Sequence, residues 1–145
     1  MLGAISGGIL IGLVSDRIGR RKAIIISLLL GILIIPVWAF APRAGILIVG
    51  AFALQFFAQG AWGVIPAHLS EVSPNSIRGF LPGFAYQCGV LIAGFVGTVE
   101  AVLSEHMSYA TAMAATAATV FIFTAIVAAF GGEKKGVEFG AQTAD

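Results

Sequence analysis

Charge is scarce in this sequence of 145 residues. Charged residues make up 10% of it, whereas roughly 25% is usual in soluble domains. Hydrophobic residues make up 59%, and the mean hydropathy is +1.00. This composition excludes a soluble globular domain and indicates an integral membrane protein. The formal net charge of +1 argues against nucleic acid as a partner.

Cysteine and histidine are also rare. Cys88 is the single cysteine, which excludes a disulfide framework and a cysteine-based metal site. The two histidines, His68 and His106, lie too far apart in the sequence to argue for a metal site. There is no glycine-rich phosphate loop and no nucleophile flanked by a base. The sequence therefore predicts neither an enzyme nor a bound metal or cofactor.

Long apolar runs are what the sequence does contain. About 20 apolar residues are needed to cross roughly 30 Å of hydrocarbon. Four runs meet this length: Ala23–Ala41, Gly45–Leu69, Phe80–Leu103 and Ala110–Phe130. Residues 1–14 are too short to span, and we interpret them as a truncated transmembrane helix at the start of a fragment. The alternative is a complete, small protein of five helices.

Lysine and arginine are unequally divided between the two sides of these spans. Seven of the eight lie in the first connection, in the third connection or in the tail at 131–145, and only Arg43 lies in the second connection. Loops rich in lysine and arginine stay on the cytoplasmic side. The first and third connections and the C-terminal tail are therefore predicted to be cytoplasmic.

The first connection, residues 15–22, carries a specific pattern. The orientation of the protein in the membrane and contact with anionic lipid would account for its arginines. They would not account for Asp16 or for the spacing of the residues around it. The pattern resembles the G-x-x-x-D-R-x-G-R-R-K loop of the major facilitator superfamily, where it joins the second to the third helix and, as a weaker copy, the eighth to the ninth. This resemblance implies a cytoplasmic latch that biases one state of alternating access. Its residues here are Gly12, Asp16, Arg17, Gly19, Arg20, Arg21 and Lys22.

The third connection, HLSEVSPNSIRGF, has a related pattern. It resembles the E-x-x-P-x-x-x-R-G element that follows the fourth and tenth helices of many facilitators, with Glu71 and Arg78 in the charged positions. By analogy, Glu71 faces the arginines of the first connection. The alternative is a set of solvated ion pairs contributing about 0–1 kcal/mol each. Ser73 is also expected to be a helix N-cap, with Pro74 as the first helical residue.

A second resemblance narrows the family. Residues 54–94 resemble the tenth and eleventh helices of the Jen-type carboxylate:proton symporters, which include lactate and pyruvate permeases and sialate transporters. The runs W-G-V-I-P-x-H-L-x-E-x-S-P and F-x-P-G-x-x-Y-Q-x-G carry this resemblance. It implies an all-α, polytopic protein of the plasma membrane, which in a bacterium is the inner membrane. Residues 1–14 would be the eighth helix and residues 23–130 the ninth to twelfth, within the C-terminal six-helix half of a 12-helix fold whose N-terminal half is missing.

Polar residues inside the spans are concentrated in the third and fourth runs. Gln55, Gln59 and Trp62 recur at i, i+4 and i+7 on one helix face. In the resembled fold the tenth helix lines the central cavity, so these residues are substrate-cavity candidates, together with Tyr86 and Gln87. The alternative is that the glutamines form hydrogen bonds between helices and never touch substrate.

Glycines spaced four apart also recur in the apolar runs. Such pairs let a neighbouring helix approach closely. The glycine pairs of the first helix predict that it packs closely against a neighbour. The isolated glycines of the fourth run predict the same for that run. The residues are Gly3, Gly7, Gly8 and Gly12 in the first, and Gly83, Gly94 and Gly97 in the fourth.

Glu100 is a candidate for proton coupling, because an acid inside a span is a functional candidate by default. It lies only three residues before Leu103, about 5 Å from the outer end, so an ordinary interfacial carboxylate is the alternative. The resemblance implies proton symport of a small organic anion such as lactate or pyruvate, with membrane lipid as the surrounding partner. A facilitator for a sugar, sialate or aromatic acid, and a non-transporting helical membrane protein, are the alternatives.

Overall fold

The computed structural model describes residues 1–132 and is helical throughout most of that range. Four of its stretches are long and apolar enough to cross a membrane: Arg20–Ala39, Ala44–Val72, Leu81–Ser104 and Tyr109–Phe130. The four predicted spans and the all-α class are thereby confirmed. The helices of this range are α1 (Leu2–Ile18), α2 (Arg20–Ala39), α3 (Ala44–Val72), α4 (Leu81–Ala93), α5 (Val96–Ser104) and α6 (Tyr109–Phe130). The part of the predicted tail beyond Gly132 lies outside the described residues.

The connection predicted at residues 15–22 is almost entirely helical. α1 continues to Ile18 and α2 begins at Arg20, so Gly19 alone breaks the helix. Its φ of 102° and ψ of 148° lie in a region that only glycine adopts without strain. The prediction placed the helix ends where the apolar runs end. Hydropathy marks the edge of the hydrocarbon, whereas arginine and lysine continue a helix readily beyond it.

The predicted span at residues 80–103 is interrupted between α4 and α5. The amide of Phe95 donates to the carbonyl of Ile92 at 3.1 Å, three residues back instead of four. Gly94 and Phe95 both keep right-handed helical dihedrals, so the chain tightens here without reversing direction. Glycine is a weak helix former and so permits the interruption at Gly94, although Gly83, Gly89 and Gly97 of the same run remain helical.

The expected N-cap at Ser73 is wrong. Ser73 instead follows the last residue of α3, and its hydroxyl donates to the carbonyl of Leu69. α3 continues past its apolar run to Val72, so the serine satisfies a carbonyl at the end of one helix and no amide at the start of the next. Turns follow Pro74, and α4 begins only at Leu81.

α3 occupies the centre of the bundle. α1 and α2 both pack against it, α6 packs against α2, and α5 packs against α6. The buried core lies where α2, α3 and α6 meet. α4 and α5 contain no buried residue. The core residues are Ile24, Leu28, Ala61, Val64 and Ala125.

The backbones of α1 and α3 are in direct contact. A Cβ atom on Gly3 or Gly7 would lie 2.4 or 2.0 Å from the carbonyl oxygen of Phe52 or Phe56, respectively. These two glycines therefore permit the close approach that their spacing predicts. Gly8 also lies against α3, because a Cβ atom on Gly63 would meet its Cα at 3.5 Å. The expectation fails at Gly12, Gly83 and Gly97, where nothing in the described residues comes within 4 Å of such an atom. A Cβ atom on Gly94 would meet carbonyls of its own preceding turn.

Candidate functional site

An ion-pair cluster joins α1, α2 and α3 at one end of the bundle, which we call the basic end. Nη1 of Arg20 lies 2.6 Å from Oδ1 of Asp16, and its Nε lies 3.1 Å from Oε1 of Glu71. Nη1 also donates to the hydroxyl of Ser15 at 2.6 Å. These four residues, Ser15, Asp16, Arg20 and Glu71, form the Arg20 cluster. One guanidinium at the start of α2 thus binds the ends of two neighbouring helices.

The two acids of the Arg20 cluster differ in exposure. The side chain of Glu71 is 11% exposed and that of Asp16 is 56% exposed, with Arg20 at 20%. Asp16 is only four residues from Arg20, whereas Glu71 is fifty-one residues away, so the Glu71 pair is the tertiary contact. Exposed pairs contribute little because water screens them. Oε2 of Glu71 is buried and has no hydrogen-bond partner within residues 1–132.

Ser15 is a member of the cluster that sequence reasoning missed. It is 1% exposed. Its hydroxyl donates to the carbonyl of Gly12 at 2.6 Å and accepts from Arg20. A serine inside a helix is unremarkable by sequence alone. No signal in the sequence marks it, because its hydroxyl gains its role only in contact with the Arg20 guanidinium.

The other predicted motif residues lie outside the cluster. Nη1 of Arg21 donates to the carbonyl of Gly131, after the end of α6, at 3.3 Å. Nη2 of Arg78 lies 3.4 Å from the carbonyl of Ser73. Arg17 is exposed in the last turn of α1. Among the arginines predicted to face Glu71, Arg20 lies within ion-pair distance of it.

Gln55, Gln59 and Trp62 form one exposed face of α3, which we call the α3 polar face. It borders the side of Phe52 and Phe56, on which α1 packs, because a Cβ atom on Gly8 of α1 would lie 3.9 Å from the Gln59 carbonyl oxygen. It differs from the face of Ala61 and Val64, which enters the core. Neither glutamine makes a hydrogen bond to another side chain or backbone group within residues 1–132. The alternative that they bond neighbouring helices is not realised in this part of the chain.

α4 reaches the α3 polar face through an aromatic contact. The rings of Trp62 and Tyr86 lie 5.4 Å apart between centroids, at an interplanar angle of 61°. Gln87 is exposed beside Tyr86. A cavity of about 240 Å³ between α2, α3 and α6 borders Gln59 and Trp62. The five predicted cavity residues are therefore divided between two neighbouring helices, with one ring contact joining them.

Glu100 lies in α5, away from the Arg20 cluster. It is half-buried and forms no hydrogen bond or ion pair with another residue of the described chain. Within residues 1–132, no group of three or more histidine, cysteine, aspartate or glutamate side chains could hold a metal ion. The chemistry that this arrangement offers is hydrogen bonding from amides and a salt bridge between helix ends.

Comparison with known proteins gives one family. The profile described as "Sugar (and other) transporter" matches residues 1–139. A carboxylic acid transporter protein homolog of Saccharomyces cerevisiae is 34% identical over 148 residues, which cover 92% of this chain and 24% of that protein. A facilitated glucose transporter of Gallus gallus, member 1 of solute carrier family 2, is 30% identical over 101 residues, covering 68% of this chain and 20% of that protein.

A sialic acid transporter of Escherichia coli is 31% identical over 90 residues, covering 61% of this chain and 22% of that protein. The chain thus spans about a quarter or less of the length of these three relatives. No solved structure matches it significantly.

Proposed function

Because this chain belongs to the family of sugar (and other) transporters, we propose that it is part of a secondary active transporter that works by alternating access. In this proposal it supplies the eighth to twelfth helices of a longer protein in the plasma membrane, with the basic end in the cytoplasm. Seven of eight lysine and arginine residues on one side of the spans support that orientation.

The observation that carries the proposal is the α3 polar face. Two amides and an indole are exposed along one face of a helix that packs against α1 and α2 through its other residues. A polar side chain that faces hydrocarbon without a partner is costly, so polar residues in spans face a water-filled cavity or another polar group. The α3 polar face is therefore assigned to the substrate pathway. Tyr86 and Gln87 extend it onto α4.

The Arg20 cluster is assigned to the cytoplasmic gate. It ties together the ends of α1, α2 and α3, so a movement that separates these ends must break the bond between Arg20 and Glu71. A contact made in one conformation and lost in the other shifts the equilibrium between them. The buried and unpartnered Oε2 of Glu71 offers an acceptor to a further donor, which the missing half would supply.

The substrate proposed is a small monocarboxylate such as lactate or pyruvate, carried together with a proton. The support is the yeast carboxylic acid transporter homolog, which aligns with 92% of this chain. Glutamine amides donate hydrogen bonds that suit a carboxylate, and Glu100 is the candidate for the proton. A neutral sugar is the second candidate, because the family profile includes sugar transporters and the chicken glucose transporter covers 68% of the chain.

Uptake into liposomes tests this assignment. The complete protein, with its upstream helices, is expected to accumulate labelled lactate when an inward proton gradient is applied, while residues 1–145 alone accumulate none. Replacing Gln59 by alanine removes a donor to a charged ligand, so KM should rise about tenfold or more. Thr119→Ala is the control, because the Thr119 hydroxyl bonds only to its own helix, at the carbonyl of Ala115.

Three other outcomes of this uptake experiment would change the assignment. If the complete protein takes up glucose but not lactate, the second candidate substrate is favoured. Transport by residues 1–145 alone would contradict the interpretation as a fragment. No uptake of lactate, glucose or sialate by the complete protein would contradict a transport function altogether.

A further inference from the structure

A second cavity lies at the basic end, on the α2 and α6 side of α3, and adjoins the cavity that borders Gln59 and Trp62 through the shared lining residues Ile65 and Thr124. Its volume is about 290 Å³. Its walls are almost wholly apolar. They come from the first turns of α2, the last turns of α3 and α6, and the two glycines after α6. Ile24, Ile65, Val127 and Ala128 are among its lining residues.

One polar atom in this cavity wall is unsatisfied. His68 lines the cavity, and its Nδ1 is buried without a hydrogen-bond partner among residues 1–132. A Cβ atom on Gly131 would lie 3.6 Å from Nε2 of the same ring, so the imidazole is close to the rim formed by Gly131. Buried polar groups usually have a partner. Burial closes Nδ1 off from the cavity, so a ligand oxygen would reach the ring at Nε2, the atom near Gly131.

A positive charge lies at the rim of this cavity. Arg21 donates to the carbonyl of Gly131, which is itself a lining residue. In α2, Arg21 is one turn before Ile24 and so on the same helix face. Lys22 is two residues from Ile24 and points to a different side of α2. Within residues 1–132, the cavity therefore combines an apolar interior with the cation of Arg21 at its mouth.

We propose that this cavity binds an anionic phospholipid, with an acyl chain among the apolar residues and the phosphate at Arg21. Basic pockets between helices on the cytoplasmic side are the sites where lipids with anionic headgroups bind. An apolar cavity alone would suit any acyl chain, and a surface arginine alone would suit any anion, but their combination selects a molecule that has both. His68 can donate a hydrogen bond to a phosphate or ester oxygen. The proposal depends on the membrane topology and not on transport.

Native mass spectrometry of residues 1–145 in detergent micelles tests this site. Phosphatidylglycerol and phosphatidylcholine with identical acyl chains are titrated separately. We expect phosphatidylglycerol to bind more tightly. Arg21→Gln should weaken it about fivefold, the effect of one basic residue near a lipid surface. Lys22→Gln is the matched control, since it removes the same charge one residue along the helix and should leave the affinity nearly unchanged.

The acyl-chain part of the proposal has its own pair of variants. Ala128→Trp fills the cavity and should abolish the preference for phosphatidylglycerol, while Ala129→Trp places the same side chain at an exposed position. Lipid binding to the control variants also shows that the bundle has folded. Equal binding of the two lipids, or equal losses in Arg21→Gln and Lys22→Gln, would overturn the proposal. The proposal would also be overturned if glycerol phosphate displaced phosphatidylglycerol at a similar concentration, or if phosphatidylglycerol bound only after residues 133–145 were removed.

Discussion

Glycines lie inside apolar helices both at the interface between α1 and α3 and in the segment formed by α4 and α5. Only at the interface between α1 and α3 do they let two helix backbones come into contact. At Gly7 the carbonyl of Phe56 occupies the space that a side chain would need, and on the facing helix Gly60 is covered by Ile11. Gly83, Gly89 and Gly97 face open space in the described chain. A glycine permits close approach, but contact also requires a second helix alongside at the same level, as α3 lies beside Gly3 and Gly7.

The largest expected effect comes from adding one methyl group to the packed interface. In Gly7→Ala, the new Cβ would lie 2.0 Å from the Phe56 carbonyl oxygen, and a backbone atom cannot give way. The helices must separate, at a cost of about 3 kcal/mol or more. Denaturant titration of residues 1–145 in mixed micelles measures this loss of unfolding free energy.

Gly97→Ala is the matched control on the open side. Nothing lies within 4 Å of its added carbon, and alanine is a better helix former by about 1 kcal/mol. The variant should therefore be neutral or slightly stabilising. Equal destabilisation by the two substitutions would show that the packed and open glycines do not differ.

A smaller effect is expected at the charged end of the packed region. A double-mutant cycle with Arg20→Gln and Glu71→Gln should give a coupling energy of about 1 kcal/mol, since this pair joins two helices and is largely shielded from water. The cycle with Asp16→Asn in place of Glu71→Gln should give about 0.3–0.5 kcal/mol or less, because that pair is local and more exposed. Thermal unfolding in detergent reports both. A coupling through Asp16 as large as that through Glu71 would contradict the ranking.

The spans could be predicted from the sequence because the cost of placing polar groups in hydrocarbon depends on composition over about 20 residues. The ends of the helices could not be predicted from the sequence. Arg20, Arg21 and Glu71 are helical although they lie outside the apolar runs, because backbone hydrogen bonding continues into the interface. The interruption at Gly94 could not be predicted either, because Gly83, Gly89 and Gly97 of the same run remain helical.

The candidate site was predictable to a similar extent. The resemblance of the two charged connections pointed to a meeting of Glu71 with an arginine, and periodicity grouped Gln55 with Gln59. The choice of Arg20 over Arg21 depends on the break at Gly19, which sets where each arginine points. Ser15 was not predictable, because its role exists only once Arg20 is folded against it.

Solvent access along α3 tests the central claim, that its polar face lines the substrate pathway. In the complete transporter with Cys88→Ser, Gln59→Cys should react with a membrane-impermeant thiol reagent, and lactate should slow the reaction. Phe57→Cys is the control, because its backbone carbonyl accepts a bond from Ser27 on α2 and its side chain lies on that packed face. Labelling of Gln59→Cys alone, with protection by substrate, is the predicted result. Equal labelling at both positions, or no protection by lactate, glucose or sialate, would contradict the account.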